Sequence, residues 1–268
     1  MDESTPIPSL TDSTEHDVVL LQEHRVFPVW SAWDVLFLLL FVGFAAMALG
    51  SIGNAIKNVV MSRFSSFPFL HHPALESVSL LAFQGLLDVL ILVFIYFTIT
   101  LKYRSPFLAS IKWTGNVRKY FLIYWPGGVL LALAVLGLSA ALPSPQKPPI
   151  EEMLEHPASA LIFAVLGVFI APFVEELLFR GFIYPLIERR IGSLLAVAVT
   201  ALLFTALHVG QLWGSWTGIA LILLVGITLS TVRARTDSLV PSFVIHLSYN
   251  STLCLLFLVA SVVKGLPA

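Results

Sequence analysis

Residues 158–187 read ASALIFAVLGVFIAPFVEELLFRGFIYPLI, thirty residues with three charges, Glu175, Glu176 and Arg180. A helix needs about 17–25 apolar residues to cross a bilayer. Backbone N–H and C=O groups find no partners in lipid, so an uninterrupted run of this length is a helix. An ionisable side chain inside that helix costs several kcal/mol, of order 2.5 or more, and is a functional candidate by default. This one stretch therefore predicts a membrane-spanning helix that carries a buried polar layer.

The surrounding sequence repeats the first half of that pattern. Apolar runs lie at roughly 35–56, 77–101, 120–142, 191–209, 216–232 and 238–263 as well, which predicts an all-α polytopic bundle of about seven spans over 34–268. Short alternating segments of the kind that build a β-barrel are absent, and no fixed-period repeat is visible. The composition agrees: of 268 residues 12% are charged and 57% hydrophobic, and the mean hydropathy is +0.91. About 25% charge is usual for a soluble domain, so this chain lacks a soluble exterior. A net charge of −1 excludes binding to nucleic acid by phosphate neutralisation. The single cysteine, Cys254, excludes a disulfide framework or thiolate cluster and reads as a small buried hydrophobe.

Residues 1–33 form an acidic tail, with Asp2, Glu3, Asp12, Glu15, Asp17 and Glu23 against Arg25. No basic segment precedes a short apolar core, so the tail is not a cleavable signal peptide. It reads as disordered or loosely packed, and run 35–56 as an uncleaved anchor. On the side of the N-terminus fall Arg25, Lys102, Arg104, Lys112, Arg118, Lys119, Arg189, Arg190, Arg233 and Arg235, ten residues against four (Lys57, Arg63, Lys147, Lys264) on the other. Positive charge marks the cytoplasmic side, which predicts a cytoplasmic N-terminus and an outward C-terminus. Segment 102–119, with five basic residues among Tyr103, Phe107 and Trp113, reads as an interfacial stretch on an anionic leaflet or as an ordinary cytoplasmic loop.

By these boundaries four charged residues, Asp88, Glu175, Glu176 and Arg180, lie within spans, together with His208 and His246. Glu176 and Arg180 are spaced i,i+4 and can pair on one helix face, whereas Glu175 lies about 100° round the helix and need not share that pair. Pro172 makes a kink beside them plausible. Phe204 and His208 share one face of the fifth span, and His246 and Asn250 one face of the seventh. Glu175 precedes the turn near Gly192 by some 15 residues and His208 follows it by about as many, so both lie roughly 20–25 Å from it. His246 and Asn250 reach roughly 14 and 20 Å from their own end of the seventh span. Six polar groups from three helices thus converge on one level.

A carboxylate beside an imidazole, with no nucleophilic Ser or Cys nearby in sequence, suits activation of water. Glu175 can act as general base, and His208 can share the water or shuttle a proton. His246 and Asn250 can both donate hydrogen bonds to one oxygen, as an oxyanion requires. The residues therefore point to hydrolysis of an acyl bond, foremost a peptide bond, within the membrane.

EELLFR fits E-E-x-x-x-R, FTALH fits F-x-x-x-H and HLSYN fits H-x-x-x-N. In this order, on three membrane helices, residues 155–255 resemble the CPBP family, the type II CAAX prenyl endopeptidases and the bacteriocin-processing or self-immunity proteins. The resemblance implies an intramembrane endopeptidase, in the plasma membrane of a bacterium, acting on a membrane-associated protein or peptide. It carries over Glu175 as the base, Glu176 and Arg180 as its motif neighbours, His208 as the water partner, and His246 with Asn250 as the oxyanion pair. It implies CAAX-type processing but does not fix prenylated substrates for this chain.

No cofactor is expected, since the glutamate-activated water needs no metal. The alternative is zinc held by Glu175, His208 and His246, a set with the three N/O ligands of a catalytic site but no H-E-x-x-H. A transporter or proton-coupled channel is a rival of another class, supported by Gln84 and Asp88 at i,i+4, which otherwise read as an interhelical hydrogen bond. A non-catalytic immunity protein on the same fold is a further rival, against which the intact motif set argues.

Overall fold

The computed structural model describes residues 27–67, 70, 72, 74–142, 149 and 157–263. Most of the acidic tail thus lies outside the described residues. Among those described, the chain is helical without strands.

Helix α1 spans Ala32–Phe64 and α2 spans Ala74–Phe97, prolonged by a π-helical turn over Thr98–Lys102. A short α3 (Phe107–Ser110) leads into α4 (Val117–Ala141). Helix α5 is one continuous run over 157–191 that changes winding four times. Pro157–Val165, Ala171–Glu176 and Tyr184–Ile191 are α-helical, while Leu166–Ile170 and Leu177–Ile183 are π-helical. Helices α6 (Ser193–His208), α7 (Trp216–Thr236) and α8 (Leu239–Val263) complete the bundle.

All seven apolar runs are therefore helices. Six are long and apolar enough to cross a membrane; α6 is apolar but has 16 residues, or roughly 24 Å of rise. Helix α1 continues past residue 56, and its 33 residues give roughly 50 Å, more than a hydrocarbon core of about 30 Å requires.

Local chemistry sets the ends of several helices. The Ser31 N–H donates to Asp34 Oδ2 (2.8 Å) at the start of α1, and Asn116 Oδ1 accepts from the Lys119 N–H (3.0 Å) at the start of α4, each satisfying an N–H that has no intrahelical partner. Gly192, at φ +80°, turns α5 into α6; that region suits a residue without a Cβ.

Two readings of the sequence change. The described end of the tail is packed. Trp30 is 1% exposed, donates from Nε1 to the Phe182 carbonyl (2.8 Å) and stacks on the Phe182 ring (4.9 Å). Segment 102–119 does not lie wholly on the surface. Ile111 is buried, and Trp113 packs on Phe173 (5.8 Å) and Phe243 (5.4 Å) under the bundle. Two of its basic residues meet carboxylates, Lys102 on Asp34 (2.5 Å) and Lys112 on Asp237 (2.9 Å). Asp237 sits in the corner between α7 and α8. Burial pushes its carboxyl up, but Lys112 and Arg233 together outweigh this and hold it below the usual range.

The site depends on close packing of α4 on α8 and of α6 on α7. A Cβ on Gly128 would overlap the Ile245 carbonyl oxygen and lie 2.6 Å from Ser248 Cβ. Beside it Ser248 Oγ donates to the Trp125 carbonyl (2.7 Å). Small residues let membrane helices approach this closely. Gly128→Val is expected to force α4 from α8 and lower stability by about 1–3 kcal/mol, read as a lower unfolding midpoint in detergent, whereas Gly137→Val, with nothing near it, should leave the midpoint unchanged.

Candidate active site

The second π segment of α5 begins directly after Glu176. A π turn breaks the i→i−4 pattern, and buried carbonyls left by it need other donors. Those donors are side chains from other elements. Arg233 Nε donates to the Arg180 carbonyl (3.2 Å), and Trp30 Nε1 to that of Phe182. In the first π segment the Gly167 carbonyl accepts from Asn250 Nδ2 (2.6 Å). The kink anticipated at Pro172 thus takes the form of two widened turns flanking the helical stretch that carries both glutamates.

Glu176 and Arg180 are fully buried and bonded through Oε1 and Nη1 at 2.8 Å. Arg180 also donates from Nη2 to the Gly226 carbonyl (3.1 Å) and from Nε to Ser230 Oγ (3.3 Å), and lies 4.5 Å over the Phe204 ring. Burial of a charge is tolerable when it is paired and hydrogen-bonded in this way. His246, 3% exposed, places Nδ1 3.1 Å from Glu176 Oε1.

Glu175 lies outside this network. Its side chain is 24% exposed, with Oε1 3.9 Å from His208 Nε2 and Oε2 3.7 Å from His246 Nε2. Both distances are too long for direct hydrogen bonds and suit a shared water. His208 Nδ1 is 2.9 Å from the Phe204 carbonyl. A carbonyl only accepts, so Nδ1 carries the proton and Nε2 offers its lone pair toward Glu175. The Phe204 ring touches both imidazoles, at 4.6 Å from His208 and 5.9 Å from His246.

Glu175, His208, His246 and Asn250 all line one cavity of about 540 Å³, mostly apolar, with walls from α2, α5, α6, α7 and α8. Glu176 and Arg180 sit behind the wall and hold it. Three further positions add to the sequence reading or correct it. Asn250 is engaged with Gly167, which takes one of its two amide N–H donors. Cys254 is half-buried and lines the cavity. Gln84 Nε2 donates to Asp88 Oδ1 (2.9 Å) within α2, so the bond is intrahelical, not interhelical. Among the described residues no group of three or more His, Cys, Asp or Glu side chains is placed to hold a metal ion.

Gly226, Ser230 and Arg233 escape sequence reading. Arg233 in particular counts there as a cytoplasmic flank, yet it is 1% exposed, lies 5.4 Å over Tyr184 and supports the site helix. An arginine at a helix end carries no mark that separates these roles. The i,i+4 spacing of Gly226 and Ser230 in an apolar helix is the one available signal.

Residues 157–252 match the family model of the type II CAAX prenyl endopeptidase Rce1-like proteins. The match covers 96 of the 268 residues. The match runs from the start of α5 through Asn250 and leaves α1–α4 outside it. The matched segment thus contains the groups around Glu175 described above, except the Trp30 support, the α2 wall and Cys254. No curated protein and no solved structure gives a significant match to the chain.

The Rce1-like segment separates a buried pair from a carboxylate open to a cavity. Arg180→Leu strands Glu176 and is expected to lower stability by about 3–5 kcal/mol. Glu175→Gln should leave stability within about 0.5 kcal/mol. Unfolding midpoints of the two variants in the same detergent check this contrast.

Proposed function

We propose that the protein is an intramembrane endopeptidase that hydrolyses a peptide bond of a membrane-associated protein or peptide with a water activated by Glu175 and His208. The observation that carries this reading is the juxtaposition of the partly exposed Glu175 carboxylate with Nε2 of His208, 3.9 Å apart on the cavity wall. Both groups accept protons, and both can contact one water lying to one side of the gap. The carboxylate takes the proton as the water oxygen attacks the carbonyl carbon, and later returns it to the leaving amine.

His246 and Asn250 are the oxyanion donors in this reading. Glu176 occupies His246 Nδ1, so Nε2 donates only when the ring carries both protons. Glu176 Oε1 lies 3.1 Å from Nδ1 and Glu175 Oε2 3.7 Å from Nε2. Asn250 keeps a second amide N–H after its bond to Gly167. Arg180 and Glu176 act through His246 as positioning residues. The apolar remainder of the cavity, with Phe83, Phe163, Leu253 and Phe257, suits a lipid-like or apolar portion of the substrate, as CAAX-type processing of a prenylated chain would present. The mechanism is metal-free.

Purified protein in lipid nanodiscs, given a farnesylated CAAX peptide or an unlipidated membrane peptide, tests this. Glu175→Ala should abolish cleavage while expression and unfolding midpoint persist; retained full activity would sink the proposed base. His246→Ala and Asn250→Ala should each lower turnover by about 10²–10³-fold. Turnover should be the same before and after dialysis against a chelator. A loss restored by zinc would favour the metal reading instead.

A further inference from the structure

One polar pair in the cavity has no part in the chemistry above. Asp88 lies on α2, outside the segment that matches the Rce1-like family, and lines the same cavity as Glu175. It is 5% exposed. Its Oδ1 accepts from Gln84 Nε2 at 2.9 Å, and no hydrogen bond of Oδ2 exists among the described residues. Gln84 lines the cavity too. A carboxyl oxygen this deep in an apolar bundle is costly to leave without a donor.

The polar groups of the cavity divide by chemistry. The α8 wall offers donors, from His246 and Asn250. The α2 wall offers acceptors, the Asp88 carboxyl and the Gln84 carbonyl. Helices α2 and α8 both pack on α5, so the two sets flank the glutamate between them. A trans peptide unit points its C=O and N–H in opposite directions. A chain held with its scissile carbonyl at the donors therefore turns N–H groups away from them, and in apolar surroundings each such N–H needs an acceptor.

We propose that Asp88 is a specificity-determining residue whose Oδ2 accepts a backbone N–H of the bound chain next to the scissile bond, with Gln84 holding the carboxyl toward the cavity. The enzyme then selects an extended chain with a free amide N–H at that position. This rests on the cavity being the substrate site, but it assigns Asp88 to binding and not to turnover.

The test uses the full chain in nanodiscs and a fluorescent farnesylated peptide ending in cysteine-valine-isoleucine-methionine, with one N-methylated version for each backbone N–H after the cysteine. Affinity is measured in the Glu175→Gln background, where no cleavage confuses it. Asp88→Ala should weaken the parent peptide at least about tenfold, the range of a hydrogen bond to a charged group. One N-methylated peptide should bind the two proteins equally, because it already lacks the N–H that Asp88 accepts. Asp88→Asn, which keeps the shape, should fall between and serves if the alanine variant does not fold. With Glu175 intact, Asp88→Ala should raise KM and leave kcat unchanged.

An affinity within about twofold of the parent protein overturns the proposal. So does an equal loss for every N-methylated peptide, which a merely structural Asp88 would give, or a parent peptide that does not bind. A peptide that binds with the expected Asp88 dependence but is never cleaved by the unmutated protein overturns the hydrolytic reading and leaves Asp88 as a binding residue.

Discussion

Hydrocarbon supplies no hydrogen bonds, and helix α5 winds through two π segments whose carbonyls take side-chain donors from other elements. Much else about the site follows from this constraint. Arg233, Trp30 and Asn250 each reach in from another element to a π-segment carbonyl. Those contacts fix where α1, α7 and α8 stand relative to α5. Glu176 pairs with Arg180 across the start of the second π segment. A straight α5 would satisfy its own backbone and need none of these neighbours.

Two kinds of polar group therefore share one helix. The Glu176–Arg180 pair is sealed, with Gly226, Ser230 and Phe204 around it, and its value lies in fixing geometry. Glu175, one residue away, has no such partner and faces open space beside two imidazoles. Adjacent glutamates differ because a helix turns about 100° per residue, which sends one carboxylate into the bundle and the next into the cavity.

That rotation is legible in sequence, as is the architecture, because apolar runs this long have one physical solution in lipid. The common level of Glu175 and His208 also follows from counting residues to the Gly192 turn. The supports do not follow. Arg233 looks like a topological flank, and nothing in residues 166–183 announces a π turn. Trp30 reads as part of a loose tail because its partner, Phe182, is 152 positions distant. The direction of the Asn250 amide likewise depends on a carbonyl in another helix that only folding exposes.

The π segment over Leu166–Ile170 has a consequence for the register of α5. A π turn accommodates one residue more than an α turn in the same rise, so it acts as an insertion stored in the helix. Loss of a single residue there would let the helix wind back to α geometry. The flanking α-helical turns would keep their phase, because the bulge had absorbed the extra residue, but the widened turn that presents the Gly167 carbonyl to Asn250 would be gone. The side chains of the flanks would be unchanged, yet the anchor beside the carboxylates would be lost. The length of this stretch is therefore as much a part of the site as its residues are.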